Sequence, residues 1–196
     1  MSYIGILFTF IFAQNVVLQY FLGVDHAQGA SKNLSRALVE GLLLTIVCSL
    51  SALVVRTVYV EILLPLGLSY LRTLTGILLI LTLGKLLEVS IRYLKPILPA
   101  GSSYDCRGIT LNSLVFGIVL LTIHRIYDVW ESLFAGIAAG LGYLVAVLLL
   151  GVLREQFQRE WIPRSMQGTP ILFISAGLIA MAFMAIDSAL LQQLFR

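Results

Sequence analysis

The sequence predicts an all-α integral membrane protein with six transmembrane helices, arranged as two inverted three-helix repeats whose first and fourth spans are broken. Three observations lead there. Hydrophobic residues make up 59% of the 196-residue chain and charged residues only 12%, which excludes an ordinary soluble domain. Apolar runs close to the ~20 residues that cross the hydrocarbon core as a helix recur along it. Polar residues interrupt the first and fourth runs at membrane depth: Gln14, Asn15 and Gln19 in one, Thr110, Asn112 and Ser113 in the other.

The runs place spans at 4–24, 37–58, 70–94, 109–123, 131–153 and 169–191. In the first, Met1-Ser2-Tyr3 leads straight into apolar sequence with no basic region or small-residue cleavage site, so it reads as a retained span and not a signal peptide. The second holds Cys48 and closes near Arg56; the third carries Lys85 and Glu88. The fourth is short for a full crossing, which suggests a half-helix joined to extended backbone. The fifth contains Gly136, Gly140 and Gly142, small residues that let helices approach closely. The sixth opens at Pro170, a first-turn position that tolerates proline. Pro65, Pro96, Pro99 and Pro163 fall between spans, where the missing N–H breaks no helical ladder. The segments are continuously apolar where barrel strands would alternate.

Six spans nearly exhaust the length, so the chain reads as a single membrane domain, 1–196, with repeat one over 1–98 and repeat two over 99–196. Three spans per repeat is an odd number, so the second copy enters from the opposite side, an arrangement that often sets a site at the midplane between discontinuous helices. Basic residues divide eight to four between the two sides: Lys32, Arg36, Arg92, Lys95, Arg107, Arg154, Arg159 and Arg164 against Arg56, Arg72, Arg125 and Arg196. The richer side belongs in the cytoplasm, which leaves both termini outside. A net charge of +3 gives no reason to expect nucleic acid as a partner. Cys48 and Cys106 are isolated, form no metal-ligand pattern, and read as free structural thiols.

Two stretches carry a likeness to a known family. One runs Gln14-Asn15-Val16-Val17-Leu18-Gln19-Tyr20-Phe21-Leu22-Gly23-Val24-Asp25, the other Gly108-Ile109-Thr110-Leu111-Asn112-Ser113-Leu114-Val115-Phe116-Gly117. Both resemble the half-membrane motifs of the A/E-type subunits of Rnf and Nqr complexes, which are ion-translocating membrane oxidoreductases. Tyr70-Leu71-Arg72-Thr73-Leu74, Glu88 with Ile91-Arg92, Leu153-Arg154-Glu155, and Pro163, Gly168, Ser175-Ala176-Gly177-Leu178 through Ala182-Phe183-Met184 extend the resemblance over nearly the whole chain. The outside termini resemble those of the A-type member in Rnf and the E-type member in Nqr.

The resemblance implies a bacterial or archaeal cytoplasmic-membrane subunit, working beside other Rnf/Nqr-type subunits. It would pair about a pseudo-twofold axis with an oppositely inserted paralogue and help couple electron transfer to Na⁺ or H⁺ transport. Flavin and nucleotide chemistry would belong to other chains, so this subunit itself is expected to be non-catalytic. In the family each member of the pair contributes two cysteines to a shared [2Fe–2S] cluster, one after the Phe-Leu-Gly run and one after the Thr-x-Asn triplet. Here Asp25 and Ser113 occupy those places. They offer hard oxygens where cluster iron takes soft thiolates, so no cluster is expected on this chain alone.

His26 reads either as a nitrogen ligand of the Rieske kind or as a polar residue at a helix break. Asn15, Asp25, Asn112 and Ser113 form the candidate midplane polar site, with the asparagines satisfying backbone freed at the breaks or lining an ion or electron path. Lys85 and Glu88, three apart on one helix face, are a candidate ion-path or interface pair, with snorkelling to the interface as the other reading. Arg154, Glu155, Arg159 and Glu160 form a charged loop that could meet a soluble partner. The competing function is a non-redox transporter or scaffold that keeps the same inverted-repeat fold.

Overall fold

An apolar chain in lipid must satisfy its backbone internally, and every regular element here does so as a helix. A computed structural model describes residues 3–24, 34–94, 112–157, 161–163 and 165–194, and among them no strand occurs. Helix α1 (Tyr3–Phe8) widens into a π-helical turn, Thr9–Ala13, and breaks at Gln14 and Asn15. The short α2 (Val16–Tyr20) follows, ended by Phe21 in the left-handed region with φ 54°. Helix α3 (Leu34–Val58) also closes in a π-helical turn, Tyr59–Leu63, beyond the 37–58 expected from the pattern. Arg56 suggests a boundary in the sequence, but it lies inside the helix and does not interrupt the backbone ladder.

After a 3₁₀ turn at Ser69–Leu71 come α4 (Arg72–Leu94), α5 (Ser113–His124), α6 (Val129–Phe157) and α7 (Thr169–Leu194). Among the described residues, three helices are long and apolar enough to cross a membrane: Ala37–Leu63, Ser69–Ser90 and Val129–Phe157. Tyr3–Ala13, Ser113–His124 and Thr169–Ala185 are shorter apolar helices. The break expected in the first span is present. In the fourth, α5 begins at Ser113, while residues 109–111 lie outside the described ones.

Glycine decides which helix is central. A Cβ at Gly136 would stand 2.6 Å from Ser49 Cα, and one at Gly140 would run into the backbone and side chain of Thr45. Helices α3 and α6 therefore touch backbone to backbone along an antiparallel seam, as small residues allow when no water drives the association. Gly142 faces elsewhere, where a Cβ would lie 2.8 Å from Phe10 O. Buried residues account for 61% of the most apolar stretch of α6, against 39% for α3 and 22% for α4. The outward faces are apolar too: Leu38, Leu42, Ile46 and Leu50 follow one another at four-residue spacing on α3 and are all exposed. Such a stripe suits lipid or a second subunit.

Candidate functional site

The broken first span is held by one side chain. Asn15, fully buried, caps α2: its Oδ1 accepts the Val17 N–H (3.0 Å) and the Leu18 N–H (3.3 Å). Its Nδ2 donates to Ile11 O (3.0 Å), in the turn before the break, and to Gly142 O (2.9 Å) on α6. One amide thus serves both sides of the break and ties it to the central helix. The missing side chain of Gly142 makes the approach possible.

Asn112 does the corresponding work for α5, its Oδ1 accepting the Leu114 N–H at 2.9 Å. It too is buried. Ser113 Oγ accepts the Gly23 N–H at 2.8 Å, across from the end of the first broken segment. Gly23 has φ 80°, and a Cβ there would stand 2.8 Å from Asn112 Oδ1, so the position needs glycine on both counts. Asn112 and Ser113 therefore meet at Gly23, while Asn15 stands at the opposite end of α2.

The order of these contacts shows how the half-helices cross. Gly23 lies by Asn112 and Leu114, Gly117 lies by Leu22 and Val16, and Gln14 lies by Arg125. Their N-termini therefore point opposite ways, α2 running against α5. Arg125, at the C-terminal cap of α5, donates to Gln14 Oε1 (2.6 Å) and Tyr127 Oη (3.3 Å), and its guanidinium lies over the Phe10 ring with 5.2 Å to the centroid. A cation at a helix C-terminus is favourable, and the Gln14 carbonyl takes one of its hydrogen bonds. In the sequence Arg125 counts only as a loop charge. The signal available was an arginine directly after a span too short to cross.

Elsewhere, Lys85 Nζ donates to Glu88 Oε2 at 2.9 Å, with the Glu88 side chain 8% exposed and that of Lys85 71%. The pair is asymmetric: the carboxylate turns inward and the ammonium outward. Arg56 is buried on α3, stacked on the Tyr59 ring at 5.6 Å, with no hydrogen bond to its Nε. Cys48 is free and buried, beside the position where Gly136 touches α3. Asp25, His26, Cys106, Thr110, Arg159 and Glu160 lie outside the described residues.

The family described as "Rnf-Nqr subunit, membrane protein" matches residues 3–190. The chain belongs to this family. It is 35% identical over 184 residues to the A-type subunit of the Na(+)-translocating ferredoxin:NAD(+) oxidoreductase complex of Acetobacterium woodii, covering 94% of this chain and 96% of that one. It is 32% identical to the E-type subunit of the Na(+)-translocating NADH-quinone reductase of Shewanella denitrificans, with 93% and 96% covered. To the A-type subunit of the proton-translocating ferredoxin:NAD(+) oxidoreductase complex of Clostridium ljungdahlii it is 31% identical, with 93% and 95% covered. The Rnf and Nqr resemblance drawn from the two half-helix motifs thus holds along nearly the full length, and the chain is a membrane subunit of this ion-translocating oxidoreductase type.

Proposed function

We propose that this subunit forms half of a pseudo-symmetric membrane core with a paralogous, oppositely inserted subunit, and helps couple electron transfer to the movement of Na⁺ or H⁺. The observation that carries the reading is the antiparallel crossing of α2 and α5, each begun by a capping asparagine, in a chain whose relatives are named as subunits of such complexes. Those names divide between sodium and proton, so the likeness does not choose the ion.

Six spans in two inverted repeats, with both termini outside a bacterial or archaeal cytoplasmic membrane, complete the proposal. Asn15 and Asn112 are 97 positions apart, as are Arg72 and Thr169, which begin α4 and α7. That shared offset supports the repeat. The eight-to-four division of basic residues supports the orientation. Within this frame the candidate polar residues are Asn15 at one end of α2 and Asn112 and Ser113 at the other, with Asp25 two positions after Gly23 in sequence, and the inward carboxylate of Glu88 with Lys85 is the candidate ion-path pair.

A shared [2Fe–2S] cluster fits the residues present poorly. Ser113 offers a hydroxyl already engaged by the Gly23 N–H, and Asp25 a hard carboxylate, where cluster iron takes thiolates. We therefore assign no cluster to this chain alone. Its own residues hold two half-helices at membrane depth and keep their freed backbone satisfied.

The test is to tag the chain in its native membrane, isolate the complex in mild detergent, and identify what accompanies it. An oppositely inserted paralogue and redox-driven ion uptake in reconstituted vesicles are expected. Isolation without redox subunits would favour the transporter or scaffold reading. Reporter fusions at the C-terminus and after Arg36 should score on opposite sides, and a cytoplasmic C-terminus would overturn the orientation. Iron and sulfide analysis of the subunit pair, with paramagnetic resonance after reduction, should find no cluster bridging this chain.

A further inference from the structure

We propose that the end of the protein where α3, α4 and α5 converge binds the headgroup of an anionic phospholipid. A Cβ on Gly76 of α4 would sit 3.6 Å from Val55 of α3 and 3.9 Å from Val119 of α5, so the three helices pass together at that level. Toward one end from there, each brings a group able to carry positive charge. Arg56 follows Val55 on α3, Arg72 begins α4 one turn before Gly76, and His124 ends α5.

A cavity of about 270 Å³ opens at this end, lined by Arg72, Thr73, Leu120, Leu121, Ile123 and His124. Among the described residues no carboxylate lines it. The preceding 3₁₀ turn runs directly into α4, where the Arg72 N–H donates to Ser69 O, so the donors offered to the cavity are side chains: the Arg72 guanidinium and the Thr73 hydroxyl. Arg56 lies on the neighbouring α3 and is not among the residues that line the cavity. It is only 6% exposed, its Nε has no hydrogen bond, and its guanidinium rests on the face of the Tyr59 ring.

The apolar surroundings select a lipid over a soluble anion. Leu120, Leu74 and Leu78 are exposed on α5 and α4, leading from the cavity along the faces that meet hydrocarbon. A headgroup phosphate held between Arg72 and His124 would lay its acyl chains down that path. The Arg72 guanidinium, with the His124 imidazole as a further donor and no described acid lining the cavity beside them, favours a net-negative headgroup over a zwitterionic one. Each cation near a membrane surface is worth about 1 kcal/mol toward an anionic lipid, roughly a fivefold preference.

The experiment uses the whole complex in phosphatidylcholine nanodiscs doped with phosphatidylglycerol, followed by detergent extraction and mass spectrometry of retained lipid. Phosphatidylglycerol should be retained in preference to phosphatidylcholine. The Arg72→Gln, His124→Gln double variant should lower that retention at least about fivefold. Arg154→Gln, at the end of α6, should leave it unchanged, and Arg72→Lys with His124→Arg should preserve it, so a loss of folding would be told apart from a loss of charge. Excess inorganic phosphate should not displace the lipid. Equal retention of phosphatidylcholine, displacement by free phosphate, or full retention in the folded double variant would each overturn the proposal.

Discussion

The two half-helices begin alike and are held differently. At the start of α2, Asn15 uses its whole amide: two N–H groups ahead of it, Ile11 O behind it, and Gly142 O on a helix 127 residues away in sequence. At the start of α5, among the described residues, the Asn112 side chain accepts one N–H from its own helix, and the hydrogen bond between segments at this end is left to Ser113 and Gly23. The first half-helix is thus built into the central helix. At its Asn112 end, the second is joined to its counterpart among the described residues by the hydrogen bond from the Gly23 backbone to the Ser113 hydroxyl, while Arg125 ties its other end to Gln14. If the pair of breaks moves during turnover, the Asn112 end is the one equipped to give.

Replacing the two asparagines tests that comparison most severely. Asn15→Leu strands the Val17 and Leu18 N–H groups and cuts the amide's ties to Ile11 O and Gly142 O, and should lower stability by about 3–5 kcal/mol. Asn112→Leu removes one cap and should cost about 1–2 kcal/mol. Denaturant titration in detergent would measure both; equal losses would end the claim that the ends differ. Gly142→Val should follow, at about 2–3 kcal/mol, because its Cβ would lie 2.8 Å from the Phe10 carbonyl and 3.1 Å from Asn15 Nδ2. Since that Cβ meets backbone, rotamer changes do not relieve it. The double variant with Asn15→Leu should be much less destabilised than the sum of the singles, because they break one shared contact.

Arg125→Gln comes next. It releases the Gln14 carbonyl and the Tyr127 hydroxyl and withdraws a cation from the face of Phe10, for about 1–2 kcal/mol. Lysine should rescue only part of this, since an ammonium cannot reproduce the planar fork that reaches both oxygens. A full rescue by lysine would mean that the charge alone matters there, and that the Gln14 contact is incidental.

Much of this was legible in the sequence because lipid enforces a plain rule: a polar residue inside an apolar run must answer for something. Asn15 announced the break in the first span that way, Gly136 and Gly140 announced close helix packing though not its partner, and the spacing of Lys85 and Glu88 announced their pairing. Three features were not legible. The division of labour between the asparagines depends on Gly142, whose glycine reads as generic packing until the neighbour is known. Arg125 sits at a helix end, where arginine ordinarily meets solvent or headgroups. The meeting of Gly23 with Ser113 requires Phe21 in a left-handed turn, a conformation the sequence of that residue argues against.

The smallest effect should be a gain. Ile126 follows Arg125 with φ 56°, a region costly for a β-branched residue, and its side chain is 79% exposed. The conformation is imposed from both sides. Arg125 is fixed by Gln14, and the Tyr127 N–H must turn back to Thr122 O at 3.2 Å to close α5. Ile126→Gly should relieve the strain while losing little contact, although the unfolded chain also gains freedom. A net stabilisation of about 0.5–1 kcal/mol is expected, roughly 1–4 °C in Tm for a chain of this size. Asparagine, which tolerates the left-handed region, should fall between the two. A loss on Ile126→Gly measured only in the assembled complex, and absent from the protein purified alone, would reveal that another chain covers Ile126. The Arg125 end of the crossing would then be held from outside as well, which would widen its difference from the Asn112 end.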